Sequence, residues 1–192
     1  MTGARTRPLV LRDGGVVEVR PLERGDRQGL AQAVARLSED TRYLRFATAK
    51  PRLSERELDF LVDIDHHAHE ALLAIDPTTR RGVAVARYVE ISDAPGIAEV
   101  AVTVADEWQG RGLGGALVGL LLERAREEGY LAVRATVLAG NRRSLAMLRR
   151  AGFKPHSASG TLREYELGLG AARIRRACDG RTAAKAPNAA AT

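Results

Sequence analysis

The stretch EVAVTVADEWQGRGLGG, residues 99–115, carries the strongest structural signal in this 192-residue chain. It begins as an alternating apolar strand, passes four glycines at positions 110, 112, 114 and 115, and continues into an apolar helix. Glycine lets the backbone approach an anion closely, and a helix start offers unpaired N–H groups at the positive end of its dipole. The stretch therefore predicts a phosphate-type anion site between a strand and a helix.

Two familiar phosphate-binding patterns fit this stretch poorly. A P-loop requires Lys-Ser or Lys-Thr after its glycines, and neither pair follows here. The pattern G-x-G-x-x-G is matched by Gly110, Gly112 and Gly115, but residues 106–109 separate the strand from the first glycine. The acid that would bind a ribose about 20 residues later is also missing. Both fingerprints are therefore disfavoured.

The flanking sequence predicts alternating short strands and helices. Residues 8–20 indicate a hairpin around Asp13-Gly14-Gly15, and helical patterns begin near Asp26, Ser38 and Ser54. Asp26 is a candidate N-cap, and Ser54 with Glu57 forms a capping-box pattern. Further strands are predicted over 70–75, 82–91, 97–104, 130–138 and 161–169 and from Phe153, and further helices over 113–128 and 141–150. This order predicts an α+β domain around one mixed, mostly antiparallel sheet.

Composition separates a body, residues 1–169, from a basic, Ala- and Arg-rich tail, residues 170–192, which we expect to be flexible. The tail carries +4 of the net charge of +6, and aromatic residues are few, which argues against nucleic-acid binding as the main function. No apolar run is long enough to span a membrane, and no signal peptide is evident. The single cysteine, Cys178, cannot form an internal disulfide. A cytoplasmic protein is the expectation.

Two motifs make the chain resemble the GCN5-related N-acetyltransferase family, abbreviated GNAT. The first is the Gln-x-x-Gly-x-Gly loop formed by Gln109, Gly112 and Gly114, and the second is a helix that starts at Asn141 and ends before Gly152-Phe153. The resemblance covers about residues 8–168 and is strongest over 97–153. It implies the GNAT fold, with helices on both faces of the central sheet.

The resemblance also implies that acetyl-CoA is the cosubstrate and that no metal is needed. The loop would hold the pyrophosphate through backbone amides, and Asn141 and Ser144 would lie along the pantetheine and thiol. The developing negative charge on the scissile carbonyl also requires donors, and backbone N–H groups around Val102 to Val104 are the expected source. The candidate cosubstrate-binding residues are Val102, Thr103, Val104, Gln109, Gly110, Arg111, Gly112, Leu113, Gly114, Gly115, Asn141 and Ser144.

Glu99 is the candidate general base. Counting by two along IAEVAVTV puts Glu99, Ala101 and Thr103 on one face of the strand and leaves one carboxylate beside the predicted site. A lysine amine with a pKa of about 10.4 requires about 4.6 kcal/mol to lose its proton at pH 7. In protein-lysine acetyltransferases of the family, a glutamate at the matching Ala-Glu-Val position acts as the base. The alternative is an exposed strand carboxylate without a catalytic role.

One position departs from the family pattern. Family members often carry a tyrosine seven residues after the Asn that begins the helix, where it protonates the departing thiolate, and this chain has Leu148 there. A thiol has a pKa of about 8.5, so a thiolate can leave without an acid. The identity of any general acid stays open.

The segment from Asp63 to His69 is dense in acids and histidines. Three histidines within four residues do not converge on one ion from a strand edge, which disfavours a zinc site. The acids could instead receive a cationic substrate, or the segment could organise the loop between helix and strand. We favour the last interpretation for His67 and leave Asp65 and His66 open.

Together these features predict an acetyl-CoA-dependent N-acetyltransferase. The resemblance to bacterial protein-lysine acetyltransferases favours a protein lysine as acceptor, attacked directly on the thioester with Glu99 as base. A small-molecule amine acetyltransferase and a non-catalytic CoA-binding sensor are the alternatives. A homodimer is left open, and no membrane partner is expected.

Overall fold

The computed structural model describes residues 6–46 and 52–170, so nearly all of the basic tail, residues 171–192, lies outside the described residues. Its strands are β1 (Arg7–Val10), β2 (Val16–Pro21), β3 (His69–Ile75), β4 (Gly82–Glu90), β5 (Ile97–Val104), β6 (Ala132–Leu138), β7 (Lys154–Ser159) and β8 (Leu162–Gly168). Its α-helices are α1 (Arg27–Arg36), α2 (Glu39–Phe46), α3 (Glu55–Val62), α4 (Leu113–Glu127) and α5 (Arg142–Arg150). The strands form one sheet in the order β1-β2-β3-β4-β5-β6-β8-β7.

All neighbouring strands pair antiparallel except β5 and β6, which are parallel. Parallel neighbours need a crossover connection, and α4 lies within it. The β5–β6 ladder ends at the pair Glu99–Arg134. Beyond it, β5 stays paired with β4 as far as Val104, and β6 stays paired with β8 as far as Leu138. The sheet therefore splits between β5 and β6.

Helices cover both faces of the sheet. On one face Leu117 and Leu121 of α4 are fully buried against Tyr88 and Val133. On the other face Leu30 of α1 and Leu58 of α3 pack with Leu73 and its neighbours. The predicted α+β class, with a mixed, mostly antiparallel sheet and helices on both faces, is confirmed. Among the described residues, no helix is long and apolar enough to cross a membrane.

Most local signals form as predicted, with one exception. Ser54 and Glu57 form the capping box of α3, and Gly129 follows α4 with a φ of +88°. Asp26 occupies the N-cap position of α1, but its side chain makes no capping hydrogen bond. Both of its carboxylate oxygens instead accept from the guanidinium of Arg20, at 2.6 and 2.7 Å. The predicted N-cap position is confirmed, but its carboxylate does not cap the helix because a charged partner from β2 competes for it.

A buried polar contact fastens the C-terminal end of α3 to the sheet. The guanidinium of Arg87 on β4 donates to the carbonyl of Leu61 at 3.1 Å and lies 3.0 Å from Nε2 of His69 on β3. A guanidinium can only donate, so the His69 ring accepts at Nε2 and is neutral. Burial, and then the charge of Arg87, lowers the pKa of His69 to about 4.

The neutral state of His69 predicts a loss of stability in mild acid. The unfolded chain protonates this histidine near pH 6.5 and the folded chain only near pH 4, so the unfolded state binds more protons between these values. We expect His69 to lower the free energy of unfolding by about 2 kcal/mol between pH 7 and pH 5. Urea unfolding of wild type and His69→Gln at both pH values measures this, because glutamine can accept from Arg87 but does not titrate. The same pH dependence in both proteins would contradict the assignment.

Candidate active site

The split between β5 and β6 opens into a cleft of about 1020 Å³. Residues 100–104 of β5 and 135–138 of β6 form its two walls. The glycine loop with the start of α4 lines one part of it, and the start of α5 lines another. The sequence-predicted residues Val102, Thr103, Val104, Gln109, Gly110, Gly112, Leu113, Gly114, Gly115, Asn141 and Ser144 all line this cleft.

A row of free backbone amides lies where the loop enters α4. Among the described residues, no acceptor is bonded to the N–H groups of residues 110–115, and the first bond is that of Ala116 to the carbonyl of Gly112. Gly110 and Gly112 adopt φ values of +79° and +89°, which side-chain-bearing residues rarely adopt. The row stands at the positive end of the helix dipole and therefore can bind an anion.

The same loop keeps the backbone close to its neighbours. A Cβ at Gly114 would lie 3.5 Å from Sδ of Met147 and 3.5 Å from Cγ2 of Val104. Larger side chains would therefore separate the start of α4 from β5 and α5. The loop therefore has the two features that binding of a phosphate group requires, which are a backbone free to adopt unusual conformations and unbonded N–H donors.

The ladder pattern decides which amides of β5 face the cleft. The N–H of Ala105 bonds to Val83 on β4, and strand amides alternate in direction. Thr103 therefore pairs with β4, while Val102 and Val104 point toward the gap left by β6. The carbonyl of Val104 accepts from the side-chain amide of Gln109 at 3.2 Å, which agrees with this direction.

Glu99 occupies the last paired position before the strands separate. Its neighbours across the ladders are Val89 on β4 and Arg134 on β6. The predicted faces of β5 are confirmed, because Val100, Val102 and Val104 belong to or pack on the core under α4. Glu99 thus points to the α1–α3 side of the sheet. Burial lowers the pKa of Arg45 from α2 on that side, and the charge of Glu99 opposes this shift.

The side chains of Gln109 and Arg111 are engaged within the protein. Gln109 donates to Thr41 at 3.0 Å and accepts from Arg143 at 2.7 Å. Arg111 pairs with Asp13 in the β1–β2 turn and stacks over Trp108 at 4.2 Å. Both side chains hold the loop in place, so an anion at this loop would meet the backbone amides.

Asn141 caps α5 as its sequence suggested, because its side chain accepts from the N–H of Ser144 at 3.0 Å. The next residues, Arg142 and Arg143, line the cleft together with Arg12, and sequence reasoning missed all three. A signal was available: two arginines in the first turn of a helix oppose its dipole. Such a pair indicates that an anion is expected nearby.

Asp106 connects α2 to the glycine loop. Its carboxylate accepts from the backbone N–H of Ser38 at 2.8 Å, from the Ser38 hydroxyl at 2.7 Å and from the Thr41 hydroxyl at 2.6 Å. These bonds satisfy donors at the start of α2, as an N-cap does. The wall of the cleft contributed by α2 therefore depends on a residue that lies just after β5 in the chain.

Asp106→Ala is expected to loosen α2 selectively. Loss of three acceptor contacts should lower the local stability of α2 by about 1–2 kcal/mol, so its amides should exchange roughly tenfold faster or more. Hydrogen exchange measured by mass spectrometry reports this, with peptides of α4 as the internal reference. Glu107→Ala, at the exposed neighbouring position, is the matched control. Equal exchange of α2 in the Asp106→Ala and Glu107→Ala variants would contradict the role of Asp106.

The histidine-rich segment has a structural explanation. The carboxylate of Asp65 accepts from the N–H groups of His67 and His69 at 2.9 and 2.8 Å, which closes the loop before β3. His66 pairs with Glu70, His67 with Glu128 and His69 with Arg87, so the three rings have three separate partners. Over residues 6–46 and 52–170, no group of three or more potential ligands is arranged to hold a metal ion.

Leu148 forms part of the floor of the cleft and is only 2% exposed. Its side chain belongs to the core between α4, α5 and the sheet. The position therefore contributes packing and offers no proton.

A cleft at a split between parallel strands, with free helix-start amides at one end, is suited to a ligand that carries a phosphate-type anion. The family model described as the acetyltransferase (GNAT) family matches residues 31–153. The chain belongs to this family and is an N-acetyltransferase.

Relatives and solved structures agree with this assignment. An acetyltransferase of Pseudomonas aeruginosa is 37% identical over 134 residues, which cover 69% of this chain and 72% of that acetyltransferase. The acetyltransferase Pat of Mycolicibacterium smegmatis is 30% identical over 145 residues, which cover 76% of this chain but only 43% of Pat. The crystal structure of the GNAT domain of S. lividans PAT superposes with a TM-score of 0.79 at 28% identity, covering 85% of this chain and 96% of that domain.

Proposed function

We propose that this chain transfers the acetyl group of acetyl-CoA to a primary amine, with Glu99 receiving the amine proton. The observation that carries the proposal is the position of two features along one strand. The free amides of residues 110–115 follow the end of β5, and Glu99 lies where its pairing with β6 ends. Val104 is five residue steps beyond Glu99 along the strand, about 17 Å, a span that an extended pantetheine arm can bridge.

The loop and the basic residues around it would hold the CoA end. Backbone N–H groups of Gly110 to Gly115 would donate to the pyrophosphate, and Arg12, Arg142 and Arg143 add positive charge at the cleft wall. Asn141 and Ser144 line the part of the cleft that the arm would cross. The inward amide of Val102, the nearer of the two to Glu99, is the available donor for the thioester carbonyl, and that of Val104 lies closer to the loop, along the arm.

In the reaction the amine nitrogen attacks the thioester carbonyl carbon, the C–S bond breaks and CoA leaves as the thiolate. Glu99 accepts the proton that the amine loses, directly or through a water. No enzyme nucleophile is required, and Leu148 leaves the thiolate without a protonating side chain at that position. The proton transferred to Glu99 then passes to solvent or to the thiolate.

Two acceptor classes have support. The resemblance to protein-lysine acetyltransferases favours a protein lysine, and β7 is exposed along its full length, which leaves that edge of the sheet accessible to a polypeptide. A small amine that bears a carboxylate is the second candidate. It is favoured by buried arginines in a cavity next to Glu99.

Glu99→Gln tests the catalytic part of the proposal. Removal of a general base should lower kcat/KM for amine acetylation by about 10²- to 10⁴-fold and leave the Kd for acetyl-CoA unchanged. Thiol release measures the rate, and calorimetry measures binding. Glu90→Gln on the neighbouring strand is the matched control. An unchanged rate in Glu99→Gln would remove this residue from the mechanism.

Gly112→Ala tests the anion site. A Cβ at a φ of +89° is strained, so the loop should shift and the free amides should lose their common direction. We expect the Kd for acetyl-CoA to rise about tenfold or more, as measured by calorimetry. Gly119→Ala, in the middle of the same helix where a Cβ meets nothing within 4 Å, should leave the Kd unchanged. Equal affinity in both variants would show that the loop amides do not hold the cosubstrate.

A further inference from the structure

A second cavity of about 410 Å³ lies on the Glu99 side of the sheet, between α1, α2 and strands β3 to β5. Most of its wall is apolar, and Leu22, Leu30, Phe46, Leu61, Leu73 and Val85 are among its lining residues. It shares Arg45, Ala101, Thr103 and Trp108 with the cleft described above, so the two spaces are adjoining. Its size and composition are those of a pocket for a small molecule.

The cavity wall contains a buried cation without an acidic partner. Arg87 is 4% exposed, and no Asp or Glu among the described residues forms an ion pair with it. Its hydrogen bonds to the Leu61 carbonyl and to the neutral His69 ring both use Nη1. Arg20 in the same cavity shows the contrast, because both terminal nitrogens of its guanidinium bind the carboxylate of Asp26.

The positive charge around Arg87 is increased by a second arginine. Arg45 also lines the cavity. Burial, and then the charge of Arg45, lowers the pKa of Arg87 to about 9. The guanidinium of Arg87 in this mostly apolar space is stabilised when a carboxylate binds there, because burial of a charge without an acidic partner is unfavourable.

Glu99 lies beside this charge on the same face of the sheet. Arg87 is paired with Ala101 across the β4–β5 ladder, so Glu99 is the diagonal neighbour two residues along, about 7 Å away between Cβ atoms. A carboxylate base and a buried guanidinium at this separation match the ammonium and carboxylate of one α-amino acid. The apolar remainder of the cavity matches an apolar side chain.

We propose that this cavity binds the acceptor as a free α-amino acid with an apolar side chain, whose carboxylate pairs with Arg87 and whose α-amine faces Glu99. The inference rests on the proposed acetyl transfer and names its substrate class. The α-nitrogen forms the new amide bond, the C–S bond of acetyl-CoA breaks, and the displaced amine proton goes to Glu99. The product is an N-acetyl amino acid.

The test compares acceptors that differ only in the carboxylate. Thiol release from acetyl-CoA is measured with L-leucine and L-leucinamide, L-methionine and L-methioninamide, and a lysine peptide with both termini blocked. We expect kcat/KM for each acid to exceed that of its amide by about 100-fold or more. Amine reactivity alone would favour the amides, whose amines have the lower pKa, so the expected order requires recognition of the carboxylate.

Variants connect this preference to Arg87. Arg87→Gln should lower kcat/KM for the acids far more than for the amides, so that the ratio of acid to amide falls toward one. Circular dichroism of this variant checks that the fold is intact. Arg87→Lys should recover part of the preference, and Arg56→Gln, at an exposed position of α3, should retain all of it. Three results would overturn the carboxylate site and leave the proposed acetyl transfer intact. They are equal rates for acids and amides, an equal loss of both rates in Arg87→Gln, and acetylation of the lysine peptide alone.

A binding measurement separates this inference from the proposed reaction. The probe is 4-methylpentanoate, which is leucine without its amine. Millimolar probe should raise the Tm of wild type and not that of Arg87→Gln. If no amine is acetylated, the proposed reaction fails, and the acceptor assignment fails with it. A probe that shifts neither protein, or both equally, overturns the carboxylate site whatever the enzyme does with amines.

Discussion

The parallel contact between β5 and β6 is the constraint on which the rest of the structure depends. It is the one parallel pair in the described sheet, and it ends at Glu99–Arg134. Because parallel neighbours require a crossover, the chain must leave the end of β5, form a helix and return to begin β6 beside the start of β5. The start of α4 is thereby fixed at the end of β5, next to the opening. One topological feature produces both the cleft and the row of amides at its end.

The elements around the cleft are tied together by polar side chains next to the glycine loop. Asp106 holds the start of α2, and Gln109 joins Thr41 to Arg143 on α5. Arg111 ties the loop to the β1–β2 turn through Asp13. These bonds leave the backbone amides of the loop free while fixing their position, which is the preorganisation that recognition of an anion requires. The polar side chains near the glycines therefore support the site by placing its backbone.

Charge is distributed differently on the two faces of β5. On the cleft side, cationic residues surround free amides, a combination suited to phosphate. On the α1–α3 side, Arg87 is buried beside Arg45, with Glu99 as the acid whose charge acts on Arg45. The strand thus separates a cleft suited to phosphate from a smaller cavity suited to a carboxylate. Glu99, the candidate base, lies where β5 and β6 separate.

The sequence by itself determined the elements and the local chemistry of the loop. Four signals act within a few residues of one another, so they could be predicted from the local sequence. They are the alternation along residues 97–104, the capping box at Ser54, the helix end at Gly129 and the glycines after Gln109. Tertiary structure alone decided what depends on distant partners. The carboxylate of Asp26 forms a salt bridge with Arg20 and does not cap its helix, and Asp13 forms a salt bridge with Arg111. The pairing of β4 with β5 brought Arg87 beside Glu99, because register across a sheet is a non-local property that no local pattern encodes.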